Sequence, residues 1–307
     1  MKFGKVDSVN ELNSRTWELP HTSIEFQKLS NPDKIEISTG GTMWTIKPWR
    51  GLVYPQKDPM RTWPEHYGNQ FGTIEFNATH YRIYSPEKMK EWADKMPDGF
   101  KFCPKFPAII SHYRRFNNCE EPTDDFIEGL LALGSKLGPA FLQLPPHFAP
   151  KHSSKLIDYL KSWPRELKMA VEFRHPLWFE GGNNAEEVWS LLSELGIGAV
   201  ISDTVGRPDA LHMRITAPFL IVRFGGYDGH KSDEVRIKEW ARWIVGNAST
   251  GIESFHFLVH QTDSVHTPYT CVQFADIINE TCSLEVKAPI FRGTSYTSSQ
   301  NHMDKES

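Results

Sequence analysis

Residues 169–174 read MAVEFR, an apolar run that ends with a glutamate and an arginine. Side chains alternate between the two faces of a strand, so Val171 and Phe173 would point one way and Glu172 and Arg174 the other. A buried strand that becomes charged at its end is typical of a barrel whose interior opens into a polar mouth. This stretch therefore indicates a barrel strand with two inward-facing charges.

Seven other short apolar runs share this design, and most are separated by a stretch that has helical periodicity. Strands that alternate with helices at intervals of roughly thirty residues are the pattern of parallel βαβ units, and eight such units close naturally into a barrel. We therefore predict an α/β fold, a single TIM-like (β/α)8 barrel. The eight predicted strands are residues 35–39, 73–77, 100–105, 140–143, 169–174, 199–203, 219–223 and 254–260.

The segment after the sixth predicted strand differs from the other connections. Residues 204–218 contain Gly206, Pro208 and Pro218, which leave little room for a full helix. We therefore predict an irregular sixth unit. The predicted organisation is an N-terminal extension packed on the barrel (residues 1–34), the barrel domain (residues 35–282) and a polar C-terminal tail (residues 283–307).

Composition limits the possible partners. With 307 residues and ten tryptophans, the chain can bury a large core as one domain. A formal net charge of −4 gives no global attraction to nucleic acid or to acidic membranes, so any anion site must be local. The four cysteines lack paired Cys-x-x-Cys spacing, and no run of eighteen apolar residues occurs. We expect a cytoplasmic protein without a membrane partner, and nothing indicates a protein partner.

The same alternation of faces predicts a group of polar side chains at one end of the barrel. Three acids and three bases would meet there, together with two amides and a histidine. Active sites of (β/α)8 enzymes lie at this end, where the strands finish. We call this predicted set the polar ring: Glu75, Asn77, Lys105, Gln143, Glu172, Arg174, Asp203, Arg223 and His260.

Several motifs occur in the order typical of a known family. They read GGTMW at residues 40–44, WRGLVYP at 49–55, TIEFNATHYR at 73–82, QLPP at 143–146 and VEFRHP at 171–176. Together they resemble the YecE-like family, domain of unknown function 72, over about residues 35–280. The resemblance implies a TIM-like barrel and no established reaction. The family's motif residues fall on Glu75, Asn77, Thr79, Tyr81, Lys105, Gln143, Glu172, Arg174, His175, Asp203 and Arg223.

One position departs from the family pattern. After the eighth strand the family usually reads Phe-Asn-Asn-Asp, whereas this chain reads VHQTD at residues 259–263. His260 thus replaces an amide by an imidazole, which adds a titratable group and a potential metal ligand. We expect ligand choice to differ from that of relatives.

The first functional hypothesis is an enzyme that acts on an anionic, phosphate-bearing substrate by hydrolysis or proton transfer. Lys105, Arg174 and Arg223 would hold the anion. Burial would raise the pKa of a carboxylate such as Glu172, which could then act as acid or base. The predicted catalytic residues are Glu172, Glu75, Asp203 and Lys105, and the predicted substrate-binding residues are Arg174, Arg223, Asn77, Gln143, Tyr81, His175 and His260.

Two alternatives remain open at this point. A non-catalytic module could bind nucleic acid or a phosphorylated metabolite through the segment HYRR at residues 112–115 and through the aromatic insertion between the first two strands. The polar ring could instead only stabilise the barrel. His175 could simply cap a turn or orient Glu172.

The sequence contains little to indicate a cofactor. There is no Gly-x-Gly-x-x-Gly or Walker motif, so a nucleotide cofactor is not indicated. Imidazole and carboxylate side chains could meet at the mouth and hold a divalent metal. Three cations share the same space and no zinc-type spacing occurs, which disfavours a metal site. The potential metal ligands would be His175, His260, Glu75, Glu172 and Asp203.

Overall fold

The computed structural model describes residues 4, 12, 17–26, 35–282 and 284–292. All of its strand pairs are parallel, as alternating strands and helices predict. The strands are β1 (Ser23–Ile24), β2 (Glu36–Gly40), β3 (Thr73–Phe76), β4 (Lys101–Pro104), β5 (Ala140–Gln143), β6 (Met169–Glu172), β7 (Gly198–Ala199), β8 (Ile201–Thr204), β9 (Arg214–Ile215), β10 (Phe219–Gly225) and β11 (Ser254–His260).

The helices follow the strands along the chain and have recognisable ends. Pro86 and Pro268 lie in the first turn of their helices, where the missing N–H costs nothing. Gly196, with φ of 65°, ends one helix in the left-handed conformation that glycine tolerates. The helices are α1 (Trp63–Gln70), α2 (Ala78–Tyr81), α3 (Pro86–Asp94), α4 (Glu120–Leu131), α5 (Ser153–Ser162), α6 (Asn183–Leu195), α7 (Lys231–Asn247) and α8 (Thr267–Cys282).

The strands form four hydrogen-bonded sheets, with the orders β1-β9, β2-β11-β10-β8, β3-β4 and β5-β6-β7. Backbone hydrogen bonds link some of them: Gly72 N donates to Thr39 O at 3.1 Å and Glu75 N to Gly41 O at 3.0 Å, while Gly138 N donates to Phe102 O at 2.7 Å and Phe106 N to Phe141 O at 2.9 Å. Among the described residues, no single sheet closes on itself. The structure therefore confirms an α/β fold of parallel strands and does not confirm the closed barrel.

The core has an inner and an outer part. The outer part, where strands meet helices, divides into two clusters: Trp49, Trp63 and Trp240 are buried in one, and Trp178 and Trp189 in the other. The third cluster, which we call the inner cluster, consists of residues on the strands or next to them: Cys103, Phe141, Ala170, Val200, Ala217, Phe219, Ile221 and Leu258.

The inner cluster fixes which side chains face the mouth. Side chains two residues apart share a strand face, so each inner residue predicts its polar neighbour. Five members of the inner cluster are followed, two residues later on the same strand face, by a polar side chain. These polar residues are Lys105, Gln143, Glu172, Arg223 and His260. These five residues therefore extend from the interior at the carboxyl ends of the strands.

The sixth predicted strand is interrupted. Val200 separates β7 from β8 and belongs to the inner cluster. Two residues further on, Ser202 faces inward and Asp203 faces outward, which reverses the predicted alternation. The following segment contains the 3-10 turn Pro208–Ala210 and the short strand β9 instead of a full helix, as the prolines of this segment predicted.

The predicted terminal segments are described only in part. Residues 17–26 include β1, which pairs with β9. The rest of the predicted extension, apart from Gly4 and Leu12, lies outside the described residues, as do residues 283 and 293–307 of the predicted tail. The three domain boundaries remain predictions.

Candidate functional site

Arg223 lies between two buried glutamates at the carboxyl end of β10. Its Nε and Nη2 donate to Glu75 at 2.9 Å each, and its Nη1 donates to the two carboxylate oxygens of Glu172 at 2.7 and 2.9 Å. All three residues are at most 2% exposed. Paired hydrogen bonds of this kind are strong and fix the planes of all three groups. We call this arrangement the Glu75–Arg223–Glu172 triad.

Glu172 accepts hydrogen bonds from three further side chains. Arg174 donates through Nε at 3.2 Å and Nη2 at 3.0 Å, Gln143 through Nε2 at 2.6 Å, and Ser202 through Oγ at 3.0 Å. Burial alone would raise the pKa of Glu172, but Arg174 and Arg223 outweigh it and lower the pKa to about 2. The expectation of a raised pKa is therefore wrong, and Glu172 is a fixed anion.

Glu75 is held in the same state by different partners. Asn77 Nδ2 donates to its Oε1 at 2.9 Å, and His260 Nε2 lies 2.7 Å from its Oε2. Burial would raise the pKa of Glu75, but Arg223 and then His260 hold it well below its ordinary value. Burial lowers the pKa of His260. Its Nε2 lies 3.1 Å from Arg223 Nη2, which can only donate, and 2.7 Å from the carboxylate, which can only accept; the shorter contact favours the tautomer with the proton on Nε2. His260 thus acts as a hydrogen-bond donor to Glu75.

Lys105, just beyond β4, has a different environment. Its Nζ donates to Gln143 Oε1 at 3.0 Å, and no carboxylate oxygen of a described residue lies within 4.0 Å of it. The side chain is largely buried, and that burial, reinforced by Arg223, lowers the pKa of Lys105 to about 8. Lys105 can therefore gain or lose a proton near neutral pH, whereas both glutamates stay ionised.

Two histidines that follow β3 and β4 lie near Lys105: His80 on α2 and His112 in the helical turn Ile109–Tyr113. His80 Nδ1 donates to Phe106 O at 2.7 Å, and its ring centroid lies 5.1 Å from that of His112. Burial, then the charge of Lys105, lowers the pKa of His80 to about 4, and burial, then His80, lowers that of His112 to about 4. Both rings are neutral at pH 7. Neither histidine belongs to the predicted polar ring, because each lies past the end of a strand where alternation no longer applies; His112 falls in the HYRR segment predicted to contact nucleic acid or a phosphorylated metabolite.

Asp203 lies outside this site. Its Oδ1 accepts from Arg236 Nε at 3.0 Å and its Oδ2 from Trp240 Nε1 at 2.9 Å, and both partners belong to α7. The prediction that Asp203 faces the polar ring is therefore wrong. Ser202 takes its place, because the interruption at Val200 shifts the alternation by one residue.

Two further predicted residues lie at the periphery. Tyr81 is 84% exposed, and its ring packs edge-on against His80 with centroids 5.4 Å apart. His175 caps the 3-10 turn Pro176–Trp178, because its Nδ1 accepts from Leu177 N at 3.3 Å. This is the capping role considered from the sequence. The structure therefore brings together eight of the nine members of the polar ring and adds Ser202, His80 and His112.

Two properties of the described part of the chain bear on metals and membranes. No three His, Cys, Asp or Glu side chains there form a group that could hold a metal ion. In the same residues, no helix combines the length and the apolar character that a membrane crossing requires.

Residues 38–290 match a family model described as "Protein of unknown function DUF72". UPF0759 protein YecE of Escherichia coli (strain K12) is 30% identical over 201 residues, which are 58% of this chain and 74% of that protein. A DUF72 family protein from Enterococcus faecalis V583 superposes with a TM-score of 0.62 at 16% identity, covering 85% of this chain and 99% of its own. One from Thermotoga maritima MSB8 gives a TM-score of 0.61 at 20% identity, covering 80% and 99%. At such identities the solved structures show similarity of fold alone.

Proposed function

This chain belongs to the DUF72 family, and from that premise we propose that it is an enzyme that binds a small anionic, phosphate-bearing substrate at the polar ring. The observation that carries the proposal is Lys105, a buried amine beside the saturated Glu75–Arg223–Glu172 triad. Two ionised carboxylates face Arg223, Arg174 and Lys105, which leaves one positive charge in excess when Lys105 is protonated. A single anionic group would neutralise that excess.

The proposed reaction is proton transfer through Lys105. Glu75 and Glu172 carry lowered pKa values and many donors, so they hold the arginines in place instead of moving protons. Arg174 would bind the anionic group of the substrate, and the Lys105 amine would accept or donate a proton at the reacting centre. A pKa close to the working pH suits a group with that role.

The proposal also concerns the arrangement of the sheets and the cellular location of the protein. We propose that the separate sheets act together as one barrel, and the backbone hydrogen bonds from Glu75 to Gly41 and from Phe106 to Phe141 support it. We also propose a cytoplasmic location. All four cysteines are free thiols, which suits a reducing compartment.

A thermal-shift screen tests the binding step. The wild-type protein would be screened against phosphorylated metabolites, nucleotides and short oligonucleotides, in parallel with the variants Arg174→Ala and Arg165→Ala. Arg165 is exposed and serves as a matched control. We expect stabilisation by a phosphorylated compound that is lost in Arg174→Ala and kept in Arg165→Ala. Equal stabilisation of all three proteins would contradict binding at the polar ring.

The second candidate function is a non-catalytic module that binds nucleic acid or a phosphorylated metabolite. Tyr81 and Tyr113 favour it, because they follow β3 and β4 and are 84% and 79% exposed. Exposed aromatic rings can stack on bases. The aromatic insertion contributes less, because Trp49, Trp63 and Tyr67 are buried in the core.

The second candidate makes its own prediction. The double variant Tyr81→Ala/Tyr113→Ala should weaken binding of a single-stranded oligonucleotide, and the wild-type affinity should fall steeply with salt. Fluorescence anisotropy at several salt concentrations measures both effects. Affinity that changes neither with salt nor in the double variant would exclude this function.

A further inference from the structure

The side chain of Gln143 links Lys105 to Glu172 through two hydrogen bonds. Gln143 Nε2 donates to Glu172 at 2.6 Å, which fixes the orientation of the amide and turns its Oε1 towards Lys105 Nζ at 3.0 Å. The amine therefore donates to a neutral amide oxygen and not to the carboxylate of Glu172. Burying an ammonium group without a direct counter-charge is unfavourable, so such a position favours the neutral amine.

Other lysines of the described chain are placed differently. Seven of them form salt bridges in which the lysine or its acidic partner is exposed, and such contacts keep the ammonium charged. Lys101, at the other end of β4, donates to Ser135 O near the surface. The seven paired lysines are Lys88, Lys90, Lys95, Lys136, Lys155, Lys168 and Lys238.

We infer that Lys105 is a nucleophile whose amine attacks the carbonyl carbon of an aldehyde or ketone and forms a Schiff base, while Arg174 holds a phosphate or carboxylate group of the same molecule. This inference rests on the proposed function, since it names the substrate class of that site. The neutral spacer Gln143 and the absence of a carboxylate against Nζ, among the described residues, carry the inference.

The chemistry of this step balances without a redox partner. The lone pair of Nζ forms a bond to the carbonyl carbon, and the carbonyl oxygen takes up a proton. The nitrogen then gives up one proton and keeps the other, the hydroxyl oxygen takes up a second proton and leaves as water, and a protonated carbon–nitrogen double bond remains; overall the step takes up one proton from solvent. The protonated imine withdraws electrons from the neighbouring carbon, which makes loss of a proton there easier. The proposed proton transfer would follow directly.

The surrounding charges assist this step. With a pKa of about 8, roughly a quarter of the Lys105 side chains are neutral at pH 7.5, against about one in a thousand for an ordinary lysine. Only the neutral amine has a lone pair to attack. Arg174 and Arg223 also place positive charge where an anionic substrate would need it.

Reductive trapping tests the inference. The full chain would be incubated with pyruvate, dihydroxyacetone phosphate or glyceraldehyde 3-phosphate, reduced with borohydride, and examined by intact mass and peptide mapping. We expect an adduct on Lys105 at least tenfold above that on any other lysine. Lys105→Arg should abolish it and Lys101→Arg should keep it. The rate of trapping should increase as the pH rises through about 8.

The outcomes separate the two proposals. Absence of an adduct selective for Lys105 with all three probes, or equal labelling of Lys101 and Lys105, would overturn the inference. Glycerol phosphate has no carbonyl group and serves as the comparison ligand. If it stabilises the wild type but not Arg174→Ala while trapping fails, the anion site stands and the Schiff base falls. Thermal unfolding of Lys105→Arg checks that this variant is folded.

Discussion

Arg223 is the residue on which the charge balance of the site depends. It contacts both buried glutamates, and each of its three guanidinium nitrogens donates to one of them. Removing Arg223 would destabilise the folded protein, because a buried carboxylate without its cation must be solvated or protonated. The stability of the protein and the geometry of the site are thus linked through one side chain.

We predict that Arg223→Met lowers the free energy of unfolding by about 3–5 kcal/mol, since it leaves two buried carboxylates without their shared cation. Urea unfolding at pH 7 measures the change. Lys90→Met is the control, because Lys90 and Asp94 form an exposed pair on α3 whose loss costs less than about 1 kcal/mol. A similar small effect for Arg223→Met would contradict the role given to the triad.

Lys105 should lower the free energy of unfolding by an amount that depends on pH. Its folded-state pKa of about 8 lies below the unfolded value of about 10.4, so the unfolded chain binds more protons between these values, and wild-type stability rises with pH there. Lys105→Met removes this cost. We predict that it is more stable than wild type by about 1–3 kcal/mol at pH 7, with the gap closing towards pH 10. Urea unfolding at pH 7, 8.5 and 10 measures it, with Lys101→Met as control; a gap independent of pH would contradict the prediction.

At the scale of single residues, alternation predicted most of the site but failed at one place. It identified five ring members that continue the inner cluster, because each strand has a clear apolar face. In residues 199–203 both Val200 and Ile201 are apolar, so the sequence could not define which face is inward. Alternation counted from Ile201 selects Asp203, whereas alternation counted from Val200 selects Ser202. His80 and His112 depend on loop packing, which no periodicity describes.

Among the elements, β8 and α7 are joined by Asp203. Its carboxylate accepts from Arg236 and Trp240, both on the buried face of α7. We predict that Asp203→Asn lowers the free energy of unfolding by about 2 kcal/mol and leaves ligand-induced thermal shifts unchanged. Glu172→Gln should reduce both the stability and the thermal shift. Loss of the ligand-induced thermal shift in Asp203→Asn would instead indicate that Asp203 takes part in ligand binding.

Strand β2 approaches β3 closely at a glycine. A Cβ atom on Gly40 would lie 1.8 Å from Thr73 O, so even a methyl group must displace the backbone. We predict that Gly40→Ala costs about 3 kcal/mol or more. Gly246 in α7 has nothing within 4 Å of its Cβ position, and Gly246→Ala should stabilise by about 0.5–1 kcal/mol. Thermal melts of both variants test the contrast, and equal effects would refute it.

Element bounds were predicted with uneven success. Strands β5 and β11 have the predicted bounds, since their apolar runs stop at a polar residue. Strand β6 ends at Glu172, two residues earlier than predicted, yet Arg174 still reaches back to that carboxylate. A strand ends where its neighbour stops pairing, and the sequence of one strand does not contain that information.

For the molecule as a whole, parallel strand pairing followed from the order of strands and helices. Closure into one sheet did not, since the described strands form four sheets, some of which are linked by only a few backbone hydrogen bonds. Sheet continuity depends on the register between neighbours, and short strands such as β7 leave few pairs to extend it. The sequence thus identified the fold class, whereas the continuity of the sheet required coordinates.

We predict that the whole protein loses stability in acid because of the two ring carboxylates. Their pKa values lie below the unfolded value of about 4.3, so their contribution is complete above that pH and is lost as the pH falls towards about 2. Urea midpoints between pH 7 and pH 2.5 measure the decline. Glu172→Gln should show a shallower decline, and an unchanged slope would contradict the assignment.

The division of the outer core has an optical consequence. Trp49, Trp63 and Trp240 lie in one cluster, and Trp178 and Trp189 lie in the other. Indole emission shifts to longer wavelength when water reaches the ring, so each half of the molecule carries its own fluorophores. Replacing the tryptophans of one half by phenylalanine would let the emission spectrum follow the other half alone. Two such proteins would reveal whether the halves unfold together or in sequence.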